Sequence, residues 1–183
     1  MEGKVILIGG NKRAGKTTLS NLLHNKYNFN QYNFDMLLDS LETTFKELDD
    51  GNDNKYIELL DNMINRSLAD AKSYGISTIY EYIFTPDQIS KLKNRDNIKV
   101  YFLANLDATE NNIESDMQKY SKSYDWPMTA TKDDIKRNIN YILNRNELLK
   151  EECKKYSFRL INTSREDNRI KVLNDLVEEI MKE

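Results

Sequence analysis

Cysteine is nearly absent: the 183-residue chain has one, Cys153. A single thiol excludes an internal disulfide framework and any cysteine-based zinc cluster. Histidine is as scarce, His24 alone, which excludes a two-histidine metal site. Two prolines and six glycines are too few for the many turns of a β sandwich and favour long helices. Neither charge sign dominates, since 27 basic residues face 30 acidic ones for a formal charge of −3. That balance argues against a protein whose task is to coat nucleic acid or an anionic membrane. Long hydrophobic runs are missing as well. The start, Met1-Glu2-Gly3-Lys4, leads only into Val5 to Ile8, too short for a signal-peptide core or a membrane span, and Glu2 does not suit myristoylation. The expected home is the cytoplasm.

What is present is periodic. At 39% hydrophobic and 31% charged the chain is polar, yet its apolar residues fall in patterns that exclude wholesale disorder. Residues 4–8 read as a buried strand ending in Gly9-Gly10. Leu19, Leu22, Leu23 and Tyr27 share one face of a helix. Residues 31–34 are a second strand candidate, and residues 35–48 a second helix. Ile57, Leu60, Ile64, Leu68 and Ala71 keep helical spacing until Gly75. A β-rich stretch spans residues 76–84, then Pro86 opens a short helix. Further strands are predicted at 98–106 and 158–161, a polar helix over 108–125, a long helix through Ile135 to Leu149, and a terminal helix from Ile170 to Ile180. Strands alternating with helices predict an α/β domain with a parallel sheet covered on both faces. The length suits one domain, residues 1–183, as a monomer or homodimer.

Residues 10–17 read Gly10-Asn11-Lys12-Arg13-Ala14-Gly15-Lys16-Thr17, a full G-x-x-x-x-G-K-[ST] match. Chance predicts about 0.002 such matches in a chain of this composition, and a strand precedes the motif while an amphipathic helix follows. The glycines are required because main-chain N–H groups must curl around phosphate oxygens, where a Cβ would obstruct them. The helix start adds its positive dipole end. Gly10 to Thr17, with Thr18, are therefore the candidate nucleotide-binding residues. Lys16 is placed to reach the β- and γ-phosphates of ATP, and the Thr17 hydroxyl to ligate Mg²⁺.

The loop does not say what becomes of the nucleotide. A Ras-like GTPase also needs an Asp-x-x-Gly switch and an Asn-Lys-x-Asp guanine reader, and neither occurs. At this size, the loop and the order of elements resemble the small P-loop kinases, in the adenylate kinase-like and shikimate kinase-like shapes, over nearly the whole chain. The resemblance implies a three-layer P-loop NTPase fold with a five-stranded parallel sheet of order 2-3-1-4-5. It also implies an acceptor-binding region about residues 35–75 and a lid about residues 107–133.

Asp35 follows the second strand candidate, where the resemblance implies a carboxylate at the acceptor hydroxyl. Such a group can accept the hydroxyl proton or orient the hydroxyl toward the γ-phosphate; its other reading is an N-cap for the next helix. Asp39, one turn on, is a weaker candidate. Glu81 lies inside an otherwise apolar strand, costly unless paired, and the resemblance implies a magnesium-water contact for it. The arginines with which adenylate kinases grip an acceptor phosphate are missing after Asp35-Met36-Leu37 and after Glu81, and nothing requires Arg66 to replace one. That favours a small-molecule hydroxyl over a phosphate-bearing acceptor. Lid charge is expected from Lys119, Lys122, Arg137 or Arg145, with Arg137 as the candidate catalytic arginine, and Arg13 able to supply part of it. Asn162-Thr163-Ser164 occupy the position where such kinases cradle adenine.

Other features read as structural. His24 is expected at the surface, Cys153 in the core, and Trp126-Pro127 at the hinge between lid and long helix. Asp50, Asn52, Asn54 and Asp61 faintly mimic a calcium loop, but Lys55 replaces its glycine and the closing Glu is missing. The expected activity is transfer of the γ-phosphoryl group of Mg-ATP to a small-molecule hydroxyl. The alternatives are a nucleotide or nucleoside kinase and a nucleotide-binding regulatory protein without transferase activity.

Overall fold

The structure is a computed structural model that describes residues 2–45, 53–121, 123, 126–163 and 166–182, with the backbone alone at residues 53–54 and 166–167. Strands β1 (Val5–Gly10), β2 (Asn30–Asn33), β3 (Thr78–Glu81), β4 (Lys99–Ala104) and β5 (Arg159–Asn162) form one parallel sheet in the order β2-β3-β1-β4-β5. This is the predicted three-layer architecture and strand order. The connections run through helices α1 (Lys16–Tyr27), α2 (Phe34–Thr44), α3 (Asp53–Tyr74), α4 (Pro86–Ser90), α5 (Glu110–Tyr120), α6 (Lys132–Tyr156) and α7 (Glu166–Lys182).

β1 is the central strand of the sheet, and every one of its residues is buried. Its side chains alternate across the sheet. Val5 and Leu7 pack with Tyr80 and Phe102 against Leu60 and Ile64 of α3 and Leu149 and Cys153 of α6. Ile6 and Ile8 pack with Leu103 against Leu19 and Leu23 of α1 and Leu173 and Val177 of α7. A third, smaller cluster joins Ile113 and Met117 of α5 to Ile139 and Ile142 of α6. The predicted acceptor region thus holds α2 and α3, and the predicted lid holds α5 and a 3₁₀ turn, Trp126–Met128.

Boundaries differ from prediction where side chains cap helices. The predicted strand at 31–34 ends at Asn33, whose side chain accepts the Met36 N–H at 3.1 Å as the N-cap of α2. Phe34 is thereby released into the helix and the core. Asp35 consequently lies in the first turn of α2 and is not its cap, which corrects the capping alternative. β3 stops at Glu81, well before Phe84, as the chain turns toward Thr85. Thr85 and Gln88 form a capping box around Pro86 at the start of α4. Thr131 and Asp134 do the same for α6. Among the described residues no helix is long and apolar enough to cross a membrane.

Candidate functional site

The loop between β1 and α1 is built by backbone demands. Gly10 has φ +119°, and a Cβ there would lie 2.1 Å from the Leu103 carbonyl oxygen, the oxygen that accepts the Asn11 N–H at 2.9 Å. Gly15 has φ +88° at the N-cap of α1, a left-handed conformation that disfavours any side chain. Asn11 is buried, and its amide donates to the Ile142 carbonyl and to Asn146 Oδ1, both at 2.7 Å. Asn146 in turn donates to the Asn105 carbonyl at 2.5 Å. A buried amide chain therefore ties the loop to α6 and to the end of β4. Over α1's N-terminus opens a cavity of about 490 Å³ lined by loop residues 13–18 with Asp116, Tyr120 and Arg169.

Lys16 is the loop's central cation. Its ammonium donates to the Asn11 carbonyl at 2.7 Å. Burial lowers its pKa to about 8, against the opposing pull of the Glu81 and Asp35 carboxylates, while Arg145 and Lys12 push it down further. Glu81, at the end of β3 and paired in register with Ile8, is buried. Burial raises its carboxyl pKa; the Thr17 hydroxyl, the Lys16 ammonium and the Asn33 amide offset part of that rise, and Asp35 adds to it. Asn33 Nδ2 donates to Glu81 Oε1 at 3.4 Å, whereas the buried Oε2 has no hydrogen-bond partner.

Lys16 and Asp35 line one further cavity, of about 350 Å³, with Lys12 and Trp126. The fold thus gathers Lys16 and Thr17 of α1, Asp35 of α2 and Glu81 of β3 at the C-terminal ends of β1, β2 and β3. Asp35 is exposed and lies across this cleft from the phosphate loop.

The arginines distribute differently from expectation. Arg137 is exposed, ion-paired to Asp134, and lines a cavity with Trp126 and Asn138 that does not include Lys16. Arg145, two turns on, reaches inward: its Nη2 donates to the Ile83 carbonyl at 2.9 Å, its buried Nε has no partner, and it acts electrostatically on Lys16. Arg13 reaches the lid helix, donating to the Asp116 carbonyl at 3.0 Å. Arg169 of α7 went unforeseen. It donates to the Thr163 carbonyl at 3.0 Å and lies 3.9 Å from Asp116, and only its position after the fifth strand could have signalled it.

The other candidates fall outside this group. Arg66 is exposed and pairs with Asp70 at 3.4 Å. Asp39 is exposed, and Lys119 lies over the Tyr120 ring. Asn162 bonds Asp107 and the Leu106 N–H, and buried Thr163 bonds the Ala104 carbonyl. Lys122, Ser164, Asp50 and Asn52 lie outside the described residues. Asp61 accepts the Lys93 N–H. His24 is exposed, and Cys153 is buried, where burial pushes its thiol up to about 12. Trp126 proves to line the cavity shared by Lys16 and Asp35, beyond the hinge role expected of it.

Among the described residues no cluster of three His, Cys, Asp or Glu side chains is arranged for a metal ion. A magnesium ion does not need one, because it keeps several waters and takes the rest of its oxygen shell from phosphates and one or two protein groups. The Glu81 carboxyl, which interacts with the Thr17 hydroxyl and keeps its Oε2 without a hydrogen-bond partner, fits that demand.

No protein-family model matches the chain, and no curated protein matches it in sequence. Solved structures do match in shape. A shikimate kinase from Bacteroides thetaiotaomicron superposes with a TM-score of 0.55 at 17% identity, over 98% of this chain and 97% of its own. A gluconokinase from Sinorhizobium meliloti superposes with a TM-score of 0.54 at 12% identity, over 98% of this chain and 96% of its own. The chain has the fold of the small P-loop kinases of the shikimate kinase-like group.

Proposed function

We propose that the protein is a Mg-ATP-dependent phosphotransferase that moves the γ-phosphoryl group to a hydroxyl of a small molecule in the cytoplasm. The observation that carries this reading is the meeting of Lys16 and Asp35 in one cavity beside the phosphate loop. Residues 10–18 bind the ATP phosphates through main-chain N–H groups and the dipole of α1. Lys16 exchanges the Asn11 carbonyl for a phosphate oxygen and neutralises charge that develops on the transferred group. Thr17 and Glu81 are the residues that would hold Mg²⁺, which supplies charge neutralisation and alignment of the phosphates. Asp35 receives the acceptor hydroxyl and orients it or takes its proton. Arg145 adds positive charge from behind, and Arg137, at the lid rim, joins the phosphoryl group only on closure over the cleft.

The test is ADP release from Mg-ATP in the presence of a panel of hydroxyl compounds, with phosphate traced to product by label. One acceptor that raises ADP release and becomes labelled supports the reading. Release at the same rate with and without every acceptor contradicts it.

A further inference from the structure

We infer that the acceptor carries a flat unsaturated ring with an N–H or O–H donor on its edge, joined to the part that bears the reacting hydroxyl, as the base of a nucleoside is joined to its sugar. This rests on the phosphotransferase reading above. The cavity that holds Lys16 and Asp35, about 350 Å³, is in the size range of small-molecule sites. Its charged groups have assignments, since Lys12, Arg13 and Lys16 belong to the phosphate loop and Asp35 faces the hydroxyl. The rest of the lining is Ile83, Met117, Ile142 and Trp126, with one neutral polar side chain, Asn138.

That lining discriminates between acceptor chemistries. A polyol or sugar acid presents a hydroxyl at nearly every carbon along its length, and each one pressed against Ile83 or the Trp126 ring loses water without gaining a partner, whereas a nucleoside keeps its hydroxyls on the sugar, at the Lys16–Asp35 end. A ring buries its faces without that cost and gains stacking on an indole. Trp126 offers such a surface: it lies 43% exposed at the wall of the cavity, in the 3₁₀ turn that follows α5. Asn138 Oδ1 is a buried acceptor with no hydrogen-bond partner, and a donor on the ring's edge satisfies it. A second cavity, about 460 Å³, shares the walls Lys12, Trp126 and Asn138 and adds Tyr141. Ring substituents therefore have room on the side away from Lys16.

Trp126 is the chain's sole tryptophan, so emission excited at the red edge of indole absorption reports this wall alone. With ADP and Mg²⁺ present, the protein is titrated with adenosine, cytidine and thymidine, and separately with ribose and gluconate; the same compounds are offered as acceptors with Mg-ATP. At least one nucleoside is expected to quench saturably and accept phosphate, while ribose and gluconate do neither. Trp126→Ala is expected to raise KM for that acceptor about tenfold with kcat and Tm little changed, and Trp126→Phe to restore it. Phosphorylation of ribose or gluconate but of no nucleoside overturns the inference, as does an unchanged KM in Trp126→Ala. Failure of every nucleoside to quench or react, while Mg-ATP still raises Tm, overturns the ring assignment and leaves the nucleotide site standing. Failure of Mg-ATP to raise Tm removes the phosphotransferase reading itself.

Discussion

The Lys16 ammonium donates to the Asn11 carbonyl at 2.7 Å, so the lysine that a phosphate would recruit is held by the same loop that would bind that phosphate. The contact keeps a half-buried cation paired, but with a neutral oxygen, and burial still lowers its pKa to about 8. The unfolded chain binds this proton up to 10.5, the folded chain only to about 8. Stability from this group therefore rises as pH climbs from about 8 to 10.5, and below about 8 the folded state bears the full cost. Lys16→Met removes that cost. The variant is expected to melt about 7 °C or more above the native protein at pH 7, with the gap closing toward pH 10. Melting curves across that range check it, and a lower Tm for Lys16→Met at pH 7 contradicts the account.

Asp35 and Asn33 divide two tasks. Asn33 caps α2 and Asp35 faces the cleft, so Asp35→Asn is expected to keep native Tm and ATP affinity while turnover falls about 10²–10⁴-fold. Asn33→Ala is expected to cost about 1 kcal/mol of stability. Steady-state rates and denaturant titrations on both variants separate these roles. Full turnover in Asp35→Asn moves the acceptor hydroxyl elsewhere.

Glu81 is a buried carboxyl whose pKa is raised mainly by desolvation. A raised carboxyl pKa stabilises the fold below the unfolded value of 4.5 and loses that contribution as pH rises through the folded value. Glu81→Gln is therefore expected to raise Tm at pH 7 without ligand, with the difference vanishing near pH 4. The same variant is expected to need about tenfold more Mg²⁺ for half-maximal turnover. An unchanged Mg²⁺ requirement takes Glu81 out of the metal site.

The amide chain Asn11–Asn146–Asn105 fixes the loop's position on α6. Asn146→Leu leaves the Asn105 carbonyl without its donor in a buried place, and the expected loss is about 1–3 kcal/mol of stability. Weaker ATP binding accompanies it, because Asn11 then holds the loop to α6 through the Ile142 carbonyl alone. Calorimetric ATP titration of the variant measures this. Native affinity means that the chain supports the fold without ordering the loop.

The tight loop between β1 and α1 was legible because its backbone needs contiguous residues: Gly10 and Gly15, both at positive φ, announce it by their spacing. The sheet order was legible through resemblance, since no local pattern tells β3 that it lies between β2 and β1. Arg145 and Arg137 could not be told apart from sequence. Both lie on α6, and only the turn of that helix against the Ile83 carbonyl selects Arg145 as the inward one. Arg169 and the cavity-lining place of Trp126 have no local sequence signal for the same reason, since segments remote from the motif bring Arg169 to the cavity over α1 and Trp126 to the one that holds Lys16 and Asp35. The end of β2 was misplaced by one residue because Asn33 can either extend a strand or cap a helix, and packing of Phe34 into the core decides between them.

Calorimetric titration of the native protein and of Lys16→Ala with Mg-ATP tests the central claim most directly. The native protein is predicted to bind Mg-ATP with a single site, to lose most of that affinity without Mg²⁺, and to lose binding when Lys16 is replaced by alanine. Equal affinity in the two proteins, or no binding by the native one at millimolar Mg-ATP, would contradict the assignment of residues 10–18 as a nucleotide site.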